Sequence, residues 1–106
     1  MKISKSQAIK QNWDEVHSLN YKLPELSPYK SVVFAELHGD HGQVHTNDLE
    51  RIYYIIEGSG EFNIAGEVTS VVQGDVITIP PQTTYNYRPE TGKTLKIILF
   101  MELWDN

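Results

Sequence analysis

GDHGQVHTNDLERIYYIIEG, residues 39–58, decides the reading of this chain of 106 residues. Its second half, Arg51 to Glu57, is rich in isoleucine and tyrosine, which favour a half-buried pleated strand. Gly58-Ser59-Gly60 closes that run with a turn. Around its first half fall three histidines, His38, His41 and His45, close enough together to raise the question of a metal. On a strand, neighbouring side chains point to opposite faces, so Glu50 and Arg51 cannot both face the interior.

The same grammar extends in both directions. Ser31 to His38 is a Val- and Phe-rich run that stops at Gly39-Asp40-His41-Gly42. Val44 to Asn47 is a short run before a corner at Asp48-Leu49. Glu61 to Ala65, Val68 to Val72 and Val76 to Ile79 follow, separated by Ala65-Gly66-Glu67, Gln73-Gly74-Asp75 and Pro80-Pro81. Thr83 to Arg88 puts Tyr85 and Tyr87 on one face. Thr94 to Trp104 is the longest expected strand, with Leu95, Ile97, Leu99, Met101 and Leu103 on one side and Ile98, Phe100 and Trp104 on the other. About eight short strands between Gly, Pro, Asn and Asp predict an all-β sandwich or barrel. No long amphipathic helix interrupts them, which argues against βαβ architecture.

Residues 1–30 read as an arm that lies over the barrel of residues 31–106 or against a second subunit. A short helix is expected over Gln7 to Trp13, with Ser6 as its cap. Pro24 and Pro28 exclude regular structure across Leu23 to Tyr29.

Bulk properties bound the function. The net charge is −5 and the nine Lys and Arg are scattered, so no basic patch for nucleic acid or an anionic membrane is expected. There is no cysteine, which excludes disulfides and thiolate chemistry. The N-terminus MKISKSQAIK lacks an apolar signal core, and no apolar run is long enough to cross a bilayer. A cytoplasmic protein is the expectation. Ile98, Phe100 and Trp104 on an outward face would make a large apolar patch, which predicts a homodimer.

These residues carry a resemblance. The chain resembles a small single-domain cupin of the RmlC-like, jelly-roll superfamily (the cupin type 2 domain), over about residues 31–101. The first family motif has the form G-x5-H-x-H-x3,4-E-x6-G, matched by Gly39, His45 and Gly58. The second has the form G-x5-P-x-G-x2-H-x3-N, matched by Gly74 and Pro80. The resemblance implies a double-stranded β-helix barrel with a short irregular or partly helical N-terminal arm. It also implies a divalent metal, Mn, Fe, Ni or Zn, on two histidines, a glutamate and a third histidine. Carried over by position, those ligands become His45, Asn47, Arg51 and Tyr85, and Gln82 and Pro89 replace the last glycine and asparagine.

That set predicts no cofactor. A guanidinium at the glutamate position repels a divalent ion, a phenol of ordinary pKa is a poor ligand, and one imidazole does not make a site. The expected function is binding of a small polar metabolite, sugar-like or bearing a carboxylate or phosphate, by His45, Asn47, Arg51, Tyr53, Gln82 and Tyr85. Arg51 would clamp the anionic group. The other orientation of Arg51, outward and paired with Glu50 or Asp48, stays open. Two enzymatic alternatives stand beside binding. One is a metal-dependent dioxygenase or isomerase that uses His45 with His41 or Glu50. The other is a metal-independent sugar epimerase or ketoisomerase with His45 as base and Tyr85 as acid. A sensor module is a further alternative. His38 and His41 read as turn and surface residues.

Overall fold

Alternation of inward and outward side chains shapes almost every segment of the computed structural model, which describes residues 2–23 and 28–102. Among the described residues, ten strands follow in chain order: β1 Ile9–Trp13, β2 Val16–Lys22, β3 Ser31–Leu37, β4 Val44–His45 and β5 Arg51–Glu57, then β6 Ser59–Ile64, β7 Glu67–Val72, β8 Val76–Ile79, β9 Thr84–Pro89 and β10 Leu95–Met101. They form two antiparallel sheets. One has the order β1-β2-β3-β10-β5-β8, the other β4-β9-β6-β7. This is the all-β architecture that the turn spacing predicts, in the jelly-roll form that the resemblance implies. No helix of the described residues is long and apolar enough to cross a membrane.

The sheets close on a core of alternate residues. Val33, Ala35 and Leu37 come from β3, Tyr53 and Ile55 from β5, Tyr85 and Tyr87 from β9, and Leu95, Ile97 and Leu99 from β10. Phe62 lies between the sheets, stacked on Tyr87 at 4.7 Å and edge-on to Tyr53 at 5.0 Å. Each large apolar side chain buried this way contributes about 1.5–3 kcal/mol.

Gly58 is the corner where the chain leaves β5 in one sheet and enters β6 in the other. Its φ is +94°, and a Cβ there would sit 2.2 Å from the Thr94 carbonyl oxygen. Only glycine meets both demands.

The N-terminal region differs from expectation. The helix expected over Gln7 to Trp13 shrinks to one 3-10 turn, Lys5–Gln7, fastened by the Ser4 N–H donating to Gln7 Oε1 at 2.8 Å. Ile9–Trp13 is instead a strand paired with β2, and β2 pairs along its whole length with β3. The arm therefore extends the larger sheet by two strands. The pattern is concealed because the inward positions of β2 include Ser18 and Asn20 while Leu19 and Tyr21 face outward. Burial of those polar groups is compensated by β1: Asn20 Nδ2 donates to the Ile9 carbonyl at 3.0 Å and Ser18 Oγ to the Gln11 carbonyl at 3.3 Å. Pro24, Leu103 and Trp104 lie outside the described residues, so the expected strand is seen only to Met101.

Candidate functional site

The period-2 rule sends Arg51, Tyr53 and Ile55 of β5 to the interior, and Glu50 is exposed. Tyr85 and Tyr87 do the same from β9. The side chains meet in a hydrogen-bonded chain. Arg51 Nη1 donates to the Tyr85 hydroxyl at 2.9 Å, and the Tyr85 and Tyr53 hydroxyls are 2.5 Å apart. Arg51 Nη2 also pairs with Glu102 Oε1 at 2.5 Å, at the end of β10. Arg51 is only 7% exposed. Its Nε and the second Glu102 oxygen have no partner among the described residues.

Arg51, Tyr53, Tyr85 and Tyr87 form one wall of a cavity of about 240 Å³ inside the barrel. Val33, Ala35, Ile97, Leu99 and Met101 form the opposite apolar wall. The N-terminal hairpin supplies a third side, with Gln11, Trp13 and Asn20. His41 also lines the cavity. Its ring stacks on Tyr87 at 4.6 Å and takes the Trp13 ring edge-on at 5.5 Å.

Burial sets the protonation states. It pushes the phenols of Tyr53, Tyr85 and Tyr87 upward, so all three keep their protons at neutral pH. Burial also lowers the pKa of His41, helped by the positive charge of Arg51 and opposed by the Gly42 carbonyl and Asp40. For Arg51 burial acts downward, but Glu102 and the phenol oxygens more than reverse it, leaving a firmly held cation. His41 Nδ1 lies 3.3 Å from the Gly42 carbonyl oxygen, to which it donates its proton. That tautomer leaves Nε2 of His41 with its lone pair.

Of the residues singled out in the sequence, Arg51, Tyr53 and Tyr85 are brought together. His45, Asn47 and Gln82 are exposed and do not line the cavity. The register explains His45. Val44 pairs with Tyr85 and His45 with Thr84, so Val44 goes inward and His45 outward, where its Nδ1 meets Thr84 Oγ1 at 2.8 Å. Gln82 Nε2 donates to Asp48 Oδ1 at 2.9 Å, and its backbone N–H to the Asn47 carbonyl. His45 and Tyr85 therefore face opposite sides of one sheet and do not form a base and acid pair across the barrel. His38 bridges Glu36 and Thr94 on the surface, as its turn position predicts. His41, expected as a surface loop residue, is a half-buried part of the cavity wall.

The donor set does not fit a divalent metal. Among the described residues no three of His, Cys, Asp and Glu converge. Where the resemblance implies a carboxylate ligand stands the buried cation Arg51, bonded to a protonated phenol. His41, His45 and Glu50 lie apart, one in the cavity and two on the surface.

Trp13, Gln11, Asn20 and Glu102 escaped the sequence reading as site residues, and His41 was named there only as a metal partner of His45. Only Gln11 and Trp13 carried a signal, the alternation of a strand, and it was masked by an equally good helical spacing of Ala8, Ile9 and Trp13.

Comparison with known proteins agrees with this architecture. Residues 33–101 match the cupin domain family. An uncharacterized protein of Methanocaldococcus jannaschii is 41% identical over 49 residues, which cover 46% of this chain and 39% of that protein. The match thus spans well under two thirds of the relative. Among solved structures, a predicted oxalate decarboxylase of Thermotoga maritima superposes with a TM-score of 0.81 at 17% identity, over 98% of this chain and 100% of the other. A nucleoside dehydratase of Streptomyces gives 0.79 at 22% identity, over 99% and 84%. Variants of the latter are known with uridine. At such identities the likeness is one of fold.

Proposed function

The chain belongs to the cupin domain family, and from that premise we propose that its barrel is a metal-free binding site for a small hydroxylated metabolite. A nucleoside or a sugar acid fits the chemistry best. The observation that carries the reading is the buried chain Arg51–Tyr85–Tyr53, standing where a metal-binding member of the family would place a carboxylate. Guanidinium and phenols donate hydrogen bonds to hydroxyl, carbonyl or carboxylate oxygens. The apolar wall and the Trp13, His41 and Tyr87 rings suit a sugar face or a flat base. A cavity of 240 Å³ lies just below the usual range for drug-sized ligands, so the ligand is small. The Streptomyces neighbour known with uridine points the same way.

Calorimetric titration of tag-free, chelator-treated protein with nucleosides and hexuronic acids tests this. Binding without added metal is expected, and Tyr85→Phe should weaken it by about fivefold, one neutral hydrogen bond of about 1 kcal/mol. Binding that appears only after Mn²⁺, Fe²⁺, Ni²⁺ or Zn²⁺ is added would overturn it.

A second reading, metal-independent acid–base turnover, is favoured by His41, a neutral imidazole on the cavity wall with protonated phenols and a cation beside it. In this reading His41, not His45, takes a proton from a carbon next to a carbonyl, and Arg51 with Tyr85 stabilises the resulting enolate oxygen. Solvent deuterium should enter that carbon. His41→Gln should abolish exchange and His45→Gln should not; the reverse result removes the reading.

A further inference from the structure

No Lys, Asp or Glu lines the cavity, and Arg51 is the one arginine that does. Two of its three guanidinium nitrogens are committed. Nη1 donates to the Tyr85 hydroxyl at 2.9 Å, and Nη2 donates to Glu102 Oε1 at 2.5 Å. The guanidinium carbon also lies 5.9 Å from the centre of the Tyr85 ring. Strand pairing makes the ion pair. β10 runs antiparallel to β5 with Phe100 opposite Ile52, which brings Glu102 to the end of the sheet where β5 begins with Arg51. The carboxylate of Glu102 thus holds the place where an incoming carboxylate or phosphate would make its charged contact.

The charges at this wall then cancel. The three phenols keep their protons, and burial holds His41 neutral. Asp40 acts on His41 from nearby and adds a negative group beside the cavity, in a chain of net charge −5. An anionic ligand would therefore find no uncompensated cation. It would also meet Glu102 at close range, where like charges away from bulk water repel strongly.

Hydrogen bonding points the same way. Arg51 Nε and Glu102 Oε2 are buried and have no partner among the described residues. The first needs an acceptor and the second a donor. Bare buried polar atoms are costly, so groups that answer both are favoured. A hydroxyl donates and accepts. An ionised carboxylate only accepts, and would leave Glu102 Oε2 bare beside a second negative charge.

We infer that Glu102 is a specificity-determining residue, an internal carboxylate that occupies the anion seat of Arg51 and confines the cavity to neutral, hydroxyl-bearing ligands. That selection rests on the barrel being the binding site proposed above, and it favours a nucleoside or a neutral sugar over a sugar acid.

Chemical rescue tests the seat without the natural ligand. Glu102→Ala leaves a vacancy of carboxylate size beside Arg51. Sodium formate should raise the Tm of this variant saturably, against sodium chloride at equal ionic strength and neutral pH, and should restore about half of the Tm lost to the substitution. The wild type, and Arg51→Met combined with Glu102→Ala, should gain nothing beyond the chloride control. If Glu102→Ala does not fold in chloride, refolding from urea into formate should recover the native circular dichroism. No formate effect in either format overturns the inference, and an equal gain by the wild type overturns it too. Calorimetry then tests the selection. The wild type should bind glucose about tenfold more tightly than glucuronate, and Glu102→Gln, which keeps the bulk and removes the charge, should erase that preference. Glucuronate bound by the wild type as tightly as glucose overturns the inference and leaves the binding reading intact. Failure of uridine, glucose and glucuronate alike to bind removes the binding reading instead, and the formate result alone then decides whether Glu102 holds the seat.

Discussion

Replacing Glu102 by alanine should destabilise the protein more than replacing Arg51 by methionine, although the two side chains share one ion pair. The difference comes from burial. The Arg51 side chain is 9% exposed and that of Glu102 is 28% exposed. Glu102→Ala leaves a guanidinium inside the barrel with Tyr85 as its remaining hydrogen-bond partner. Stranding one member of a buried pair costs about 3–5 kcal/mol, and the partial opening of this pair to water brings the expected loss to about 2–3 kcal/mol. For a domain of this size that is a fall in Tm of roughly 10–20 °C. Arg51→Met instead keeps a long apolar stem in place and leaves a carboxylate that can turn toward solvent. It also removes the buried Nε that lacks a partner. The expected loss is about 1 kcal/mol or less. Arg51→Met combined with Glu102→Ala should resemble Arg51→Met alone, so the pair is strongly non-additive. Urea unfolding at neutral pH, followed by two probes to check two-state behaviour, measures all three. Equal losses for the two single variants, or additive losses in the double, would refute the reasoning.

Gly58→Ala should be far more damaging than Gly66→Ala. Both glycines have positive φ, but a Cβ at Gly58 collides with the Thr94 carbonyl at 2.2 Å while nothing lies within 4 Å at Gly66. The Gly66 variant should lose about 1 kcal/mol from backbone strain alone, and the Gly58 variant several times that in urea melts. His41 should make stability depend on pH. Its folded pKa is depressed below the ordinary 6.5 by burial, so the unfolded chain binds the proton more readily. The stability from a neutral His41 is therefore complete above pH 6.5 and is lost as pH falls through the lower folded value. Arg51, Asp40 and the Tyr87 ring face it and are included in that balance. Tm measured from pH 8 down to 5 should converge between the wild type and His41→Gln; parallel curves would count against a buried neutral imidazole.

Legibility followed local periodicity. β5 and β9 were readable because isoleucine, tyrosine and their spacing alternate with the pleat, and the same alternation placed Tyr53, Tyr85 and Tyr87 on one side. β2 was unreadable because its hydrophobic alternation is inverted: Ser18 and Asn20 face in, and Leu19 and Tyr21 face out. His41 was misjudged because a loop of Gly39, Asp40 and Gly42 has no period, and nothing local reveals that Tyr87 and Trp13 will receive its ring. His45 sat at the right motif position, yet one step of strand register turned it outward.

By itself the sequence determined the β-rich fold, the family resemblance, the corner at Gly58 and the presence of an arginine where the family places a metal-binding carboxylate. These are properties of spacing and of residue type, which short-range sterics and the two-residue pleat translate directly into structure. Tertiary structure alone decided that Arg51 rather than Glu50 faces the barrel, that Glu102 is its partner, that His41 lines the cavity, and that the N-terminal hairpin forms a wall. Each of those facts joins residues far apart along the chain. Local propensity has no term for such meetings; only closure of the two sheets around a shared interior brings them about.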